Sequence, residues 1–77
     1  MKSTFLKSNR TATVIKLNRY FANQAIFAKV AAFVGDKVEE FYSMDGAELV
    51  NKVKMIANED PTATFAIIDV DFADGLN

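Results

Sequence analysis

Two carboxylates near the end of the sequence form the pattern that comes closest to a site for metal or acid–base chemistry. Asp69 and Asp71 are two positions apart, and Asp74 precedes Gly75. Side chains two positions apart on a strand point to the same face, so Asp69 and Asp71 could share a divalent cation. A calcium loop needs an oxygen ligand at its fifth position, where Ala73 stands. The pattern therefore favours a solvated strand end, which discourages edge pairing, over a metal site.

The residue inventory excludes most catalytic mechanisms. The sequence contains no cysteine and no histidine, which removes thiolate nucleophiles, imidazole bases, disulfide bonds and His/Cys zinc sites. Glu39 and Glu40 are adjacent, so on a strand they would point to opposite faces and would not form a carboxylate pair. The glycines are dispersed and match no phosphate-binding or dinucleotide-binding motif. We therefore expect no enzymatic activity, no cofactor and no bound metal.

Charged residues are segregated along the chain. Residues 1 to 35 carry six cations and no acid, and from Asp36 onward ten acids accompany three lysines, so the net charge of −1 combines a basic part with an acidic part. The basic part could contact a nucleic-acid backbone, and its aromatic rings could stack on bases. The candidate contacts are Lys7, Arg10, Lys16, Arg19, Tyr20, Phe21 and Lys29. An acidic protein partner, or neutralisation of one part by the other within the fold, would explain the same segregation.

The elements that must position these residues are clearest in the second half of the sequence. Asp45 followed by Glu48 forms a capping box, which predicts that a helix begins at Gly46. Apolar residues then recur at helical spacing until the approach to Pro61, which ends the helix. The run from Thr62 to Phe72 is rich in β-branched and aromatic residues and predicts a strand.

The first half allows more than one assignment. β-Branched residues favour a strand over Ala12 to Leu17. Residues 22 to 34 are rich in alanine and fit helical spacing. However, Gly35-Asp36 is a preferred two-residue hairpin loop, and Lys37 to Tyr42 can form the return strand. We favour the hairpin over the helix, with a first turn near Ala22-Asn23.

These elements predict a small single α+β domain over residues 1 to 77, in which residues 1 to 10 form a loose N-terminal arm. The predicted order is β-β-β-α-β, with a mostly antiparallel four-stranded sheet and one amphipathic helix packed on one face. The sequence contains no apolar run long enough for a signal-peptide core or a membrane span, so we expect a cytoplasmic protein.

Apolar residues are predicted on both faces of the strands. In the last strand, alternation places one set on a common face, and that set is Ala66, Ile68, Val70 and Phe72. Phe65 and Ile67 then lie on the opposite face. A helix of about 12 residues is roughly 18 Å long and 10 Å wide, whereas four strands span about 19 Å. One helix therefore cannot cover both faces of the sheet.

The uncovered face leads to the functional hypothesis. Its predicted members are Phe27, Phe33, Phe65 and Ile67. Exposed apolar patches usually mark contact surfaces, so we expect a non-enzymatic protein-binding module, regulatory or inhibitory in effect. It would act through this face or a strand edge on another protein or on a second copy of itself, and nucleic-acid binding is the alternative. Motif-free proteins of this size are common among phages and mobile elements, so size alone suggests such an origin. No residue of the sequence indicates it.

Two arrangements of the chain would contradict the hypothesis of an uncovered contact face. The N-terminal arm, with Phe5 and Leu6, would cover the face if it folded over the sheet. A helix over residues 22 to 34 would cover it as well. In either arrangement the apolar side chains would belong to an ordinary core and would indicate no partner.

Overall fold

The chain folds into two helices and three strands in the order α-β-β-α-β, as seen in a computed structural model that describes residues 6 to 73. The elements are α1 (Arg10–Ala22), β1 (Ala25–Val34), β2 (Lys37–Ser43), α2 (Gly46–Glu59) and β3 (Thr64–Phe72). The strands form one antiparallel sheet in the order β2-β1-β3. Both helices pack on the same face of this sheet, which gives a two-layer α+β fold.

Helix α1 replaces the strand that was predicted over Ala12 to Leu17. The described part of the chain therefore has three strands and two helices, and the prediction of four strands and one helix is wrong. Asn9 caps the helix, because its side-chain oxygen accepts a hydrogen bond from the Ala12 backbone N–H at 2.9 Å. Thr13 and Leu17 lie one helical turn apart and are both fully buried. Burial of this helical face outweighs the weak strand preference of its β-branched residues.

The residues before α1 are joined to the outer edge of β3. Ser8 and Phe65 exchange two backbone hydrogen bonds, each 2.8 Å long. The Ser8 hydroxyl also lies 3.0 Å from the Thr13 hydroxyl, which donates to the Asn9 carbonyl oxygen at 2.9 Å. These bonds satisfy the buried Thr13 side chain. The predicted loose arm is thus attached at Ser8, and Met1 to Phe5 lie outside the described residues.

The hairpin predicted at Gly35-Asp36 is confirmed. Strands β1 and β2 pair antiparallel without a register shift, and Gly35 has a φ of 64°. This left-handed conformation suits glycine at the first position of a two-residue hairpin loop. The strand assignment for residues 22 to 34 is correct from Ala25 onward. The predicted turn near Ala22-Asn23 exists, but it joins a helix to β1.

Helix α2 begins at Gly46, as predicted. The Asp45 carboxylate accepts hydrogen bonds from the backbone N–H groups of Ala47 and Glu48, at 3.0 and 3.4 Å. The helix ends at Glu59, before Pro61. Among the described residues, no helix has the length and apolar character needed to cross a membrane.

A β-bulge determines which side chains of β3 face the helices. The pairing of β1 with β3 shifts at Ile68, which has no partner on β1. Phe65 and Ile67 before the bulge and Val70 after it all pack into the core with the helices. The extra residue reverses the alternation along the strand. The prediction that Ala66 and Ile68 share a face with Val70 is therefore wrong.

Candidate interaction surface

The face of the sheet opposite the two helices, called the open face below, is the candidate functional site. Within residues 6 to 73, no helix or strand packs over it. Alternation and strand register place its side chains from three strands. They are Phe27, Lys29, Ala31 and Phe33 of β1, Val38, Glu40 and Tyr42 of β2, and Thr64, Ala66, Asp69 and Asp71 of β3.

The residues predicted to form one contact face are divided between the two faces of the sheet. Phe27 and Phe33 lie on the open face. Phe65 is 0% exposed and Ile67 packs against the core, so neither contributes to an exposed patch. The predicted grouping is wrong because the helices cover the odd-numbered side chains of β3 before the bulge. Phe65 and Ile67 therefore support the contact face only by positioning the strand.

Sequence reasoning missed two members of the open face on β2. Tyr42 is 67% exposed and Val38 is 58% exposed. Both follow from the hairpin register, since a two-residue loop pairs Phe33 with Val38 and then Lys29 with Tyr42. The signal was present in the sequence once the Gly35-Asp36 hairpin was assigned.

Apolar groups occupy both ends of the open face. At one end, the rings of Phe27 and Tyr42 pack with centroids 5.6 Å apart and an interplanar angle of 40°. At the other end, the Lys7 Nζ atom lies 4.3 Å from the centre of the Phe33 ring, in cation–π contact. Between the two ends, the paired Ala31 and Ala66 are only 3% and 1% exposed. Because both side chains face away from the helices, other atoms of the chain already shield the middle of the face at these two positions.

The charges of the open face are arranged from one end to the other. Lys29 forms an ion pair with Glu40 near the middle, at 3.5 Å between Nζ and Oε1. Both side chains are partly exposed, so the pair contributes at most about 1 kcal/mol to stability. Asp69 and Asp71, beside Phe27, form no ion pair with any residue from 6 to 73. Lys7 lies at the opposite end beside Phe33, near the hairpin loop that carries the exposed Asp36.

The seven candidate nucleic-acid contacts do not gather on one surface. Arg10, Lys16 and Arg19 lie on α1, in the helical layer. Lys29 lies on the open face, which is the other side of the sheet. The Arg10 guanidinium donates to the Asn58 side-chain oxygen at 2.8 Å and so connects the two helices.

The two aromatic residues of that set have structural partners. Tyr20 packs edge-on against Phe72, with ring centroids 6.2 Å apart and an interplanar angle of 79°. Phe21 packs against the core and lies close to Gly46 at the start of α2. Neither ring is presented as a free stacking platform, so base stacking by this pair would require local rearrangement.

The strand edges offer a second type of surface. β2 forms one edge of the sheet, and no described strand pairs with its outer side. This edge carries Lys37, Glu39 and Glu40, and charged residues on an edge discourage strand addition. At the other edge, Ser8 already pairs with Phe65 of β3. The open face is therefore the better contact surface.

One carboxylate outside the open face has a shifted pKa. Asp60 accepts hydrogen bonds from the Thr62 hydroxyl at 2.6 Å and from the Thr62 backbone N–H at 3.0 Å. These bonds stabilise the charged form and lower the pKa of Asp60. The Asp60 carbonyl also accepts from the Ala63 N–H at 2.9 Å, so the residue closes the turn between α2 and β3.

The described residues contain no group of three acidic, histidine or cysteine side chains placed to hold a metal ion. Asp69 and Asp71 belong to the described residues, and Asp74 lies outside them. Comparisons of the chain with protein-family models, curated proteins and solved structures found no match. The geometry of this chain is therefore the basis for its proposed function.

Proposed function

We propose that this protein is a small non-enzymatic binding module that contacts another protein through the open face. The observation that supports the proposal is the aromatic pair of half-buried Phe27 and exposed Tyr42, on a sheet face over which no described helix or strand packs. The solvated face of a one-sided antiparallel sheet is usually polar. Aromatic residues at that position are typical of interface centres.

The apolar side chains of the open face would support a complex of modest affinity. Full burial of a large apolar side chain contributes about 1.5 to 3 kcal/mol. Four such residues, Phe27, Phe33, Val38 and Tyr42, would contribute less than the full value because part of their surface is already buried in the monomer. Association costs about 4 to 15 kcal/mol in lost freedom and ordering. Complementary charges are therefore needed for a stable complex. We propose a regulatory or inhibitory effect, exerted by occupying a surface of the partner.

A matched pair of variants tests this function. Tyr42→Ser removes an exposed ring from the open face, and Met55→Ser removes a comparably exposed side chain, 55%, from α2 in the helical layer. The two tagged variants and the original chain are compared in affinity capture from a lysate of the native host. We expect the original chain and Met55→Ser to retain the same partner and Tyr42→Ser to lose it. Equal retention by all three chains would contradict the assignment to the open face.

Nucleic-acid binding is the second candidate, and one observation favours it. Helix α1 carries Arg10, Lys16 and Arg19 and no acidic residue. Cations on one helix can follow a phosphate backbone without base-specific contacts. In this alternative, α1 alone would form the interface, and the open face would take no part.

A further inference from the structure

We propose that the Phe27 end of the open face binds an arginine side chain from a basic segment of the partner protein. This inference rests on the proposed function, because it names the chemistry that the same face recognises. The Phe27 end combines two aromatic rings with two carboxylates that form no ion pair with any described residue. Arginine suits both groups, since its guanidinium stacks on rings and donates paired hydrogen bonds to carboxylates.

The proposed site is confined to an end of the open face that a partner can reach. Tyr42 is 67% exposed, and Asp69 and Asp71 are exposed as well. The middle of the face is different, because Ala31 and Ala66 are already shielded there. An arginine at the Phe27 end needs neither the middle of the face nor the ring at the hairpin end.

Strand register places the rings and the carboxylates side by side. Asp71 on β3 is the pairing partner of Phe27 on β1. In the neighbouring row, Tyr42 and Asp69 lie on the two sides of Lys29. Side chains of paired residues share a face, with their Cβ atoms about 5 Å apart. A cation above the Phe27 ring would therefore lie between the Tyr42 ring and the Asp71 carboxylate.

The charge of this end is complementary to arginine. Lys29 already pairs with Glu40 at 3.5 Å, so these two charges offset each other. Asp69 and Asp71 then leave an excess of negative charge, which attracts a cation. The aromatic pair adds a cation–π attraction that favours a planar guanidinium over a lysine ammonium group. The rings and the carboxylates together therefore select arginine rather than any cation.

A labelled hexaarginine peptide with blocked ends tests the site, and a hexalysine peptide of equal charge is its control. Binding to the full chain is measured by fluorescence anisotropy at about 0.1 M salt, where charges are screened over about 10 Å. Asp71→Asn removes one carboxylate of the site, and Tyr42→Leu removes one ring but keeps an apolar side chain. Both positions are exposed, so the variants are expected to fold. Glu59→Gln removes the same charge from an exposed position on α2, near the hairpin.

The original chain should bind hexaarginine at least about threefold more tightly than hexalysine, because the rings favour guanidinium. Asp71→Asn and Tyr42→Leu should each weaken hexaarginine binding about two- to fivefold. Tyr42→Leu should also reduce the preference for arginine over lysine, which a purely electrostatic site would not show. Glu59→Gln should change the affinity by less than about 1.5-fold, because its charge lies in the other layer at the far end of the sheet.

Three results would overturn the inference. The first is the absence of hexaarginine binding. The second is equal affinity for the two peptides, or equal effects of Asp71→Asn and Glu59→Gln, since the attraction would then be diffuse negative charge. The third is self-association that is lost in Tyr42→Leu, which would assign this end to a second copy of the chain.

The capture experiment distinguishes failure of this inference from failure of the proposed function. Asp71→Asn is added to the tagged chains compared in the host lysate. A partner that is lost by Tyr42→Ser but retained by Asp71→Asn would leave the open face as a binding surface and would overturn arginine recognition. A partner that is lost by both variants and retained by Met55→Ser is the expected result.

Discussion

Gly46 at the start of α2 lies directly against the ring of Phe21 near the end of α1. A Cβ atom at position 46 would lie 2.8 Å from Phe21 Cγ and 2.9 Å from Cδ2, closer than side chains normally approach. The glycine thus allows the two helices to pack closely on one face of the sheet. Because Phe21 also packs against the core, the ring has little space into which it can withdraw.

The first prediction concerns this contact. We expect Gly46→Ala to lower the free energy of unfolding by about 1 to 3 kcal/mol through overpacking, although alanine is the better helix former. Urea denaturation measures the change. Ala47→Gly at the neighbouring exposed position is the control, with an expected loss of about 1 kcal/mol from helix propensity alone. A Gly46→Ala variant more stable than the original would show that Phe21 moves aside at little cost.

The second prediction concerns the end of α1. Gln24 follows the C-cap residue Asn23 and has a φ of 73°, a left-handed conformation that costs a residue with a side chain about 1 kcal/mol. Gln24→Gly should therefore stabilise the fold by up to about 1 kcal/mol. In a domain of this size, that change raises Tm by about 4 to 8 °C. Thermal unfolding followed by circular dichroism measures it.

The effect of a glycine on Tm should have opposite signs at position 24 and inside α1. Ala22→Gly, two residues earlier and within α1, should instead lower Tm, because glycine in a helix costs about 1 kcal/mol relative to alanine. A similar loss of stability in Gln24→Gly and Ala22→Gly would contradict the proposed strain at Gln24.

The third prediction separates the core from the open face. Phe65 is fully buried between the sheet and the helices, so Phe65→Ala should cost about 3 to 5 kcal/mol. A domain of this size has only about 4 to 12 kcal/mol of stability in total. Phe33→Ala on the open face should cost clearly less, because its ring is only half-buried. Chemical denaturation of both variants tests the difference, and equal losses would contradict the division of the two residues between faces.

The fourth prediction concerns pH. The pKa of Asp60 in the folded protein lies below its ordinary value of 3.8, because Thr62 donates two hydrogen bonds to the carboxylate. The charged form therefore stabilises the fold above about pH 4, and this contribution is lost as the pH falls through the lower, folded-state pKa. The stability difference between the original chain and Asp60→Asn should be constant from about pH 5 to 7 and should shrink at lower pH.

A direct titration checks the cause of that shift. Carboxyl chemical shifts of Asp60 should give a midpoint below 3.8, and Thr62→Val should move the midpoint upward by removing the hydroxyl donor. A midpoint that does not change in Thr62→Val would assign the lowered pKa to another cause.

The fifth prediction applies to the nucleic-acid alternative. If α1 forms the interface, Arg19→Ala should weaken binding at all sequences and reduce the slope of log affinity against log salt by about 1. Lys29→Ala should leave the slope unchanged, because Lys29 lies on the other side of the sheet and pairs with Glu40. Fluorescence anisotropy with a labelled oligonucleotide measures both. An equal effect of the two substitutions would contradict an interface confined to α1.

Local chemistry was sufficient to predict part of the fold. Asp45 identifies the start of α2 because its carboxylate accepts from the neighbouring backbone N–H groups of Ala47 and Glu48. The predicted return bond from the Glu48 side chain to the Asp45 N–H is not formed, because that N–H donates to the Ser43 hydroxyl. Gly35 identifies the hairpin for the same reason, since the turn needs a residue that tolerates positive φ. Helix α1 was missed although Asn9 is a good N-cap, because β-branched residues favour a strand when packing is not known.

The sequence by itself determined where the chain turns, where α2 begins and which segments of the second half are strands, because these depend on caps, loops and side-chain shape within a few residues. Only the tertiary structure decided which side of the sheet the helices cover. The helices cover the face that carries Phe65, and the bulge at Ile68 brings Val70 to the same face, whereas Phe27 and Tyr42 lie on the other face. Both features arise from contacts between segments distant in sequence, where packing rather than local preference has the larger free energy.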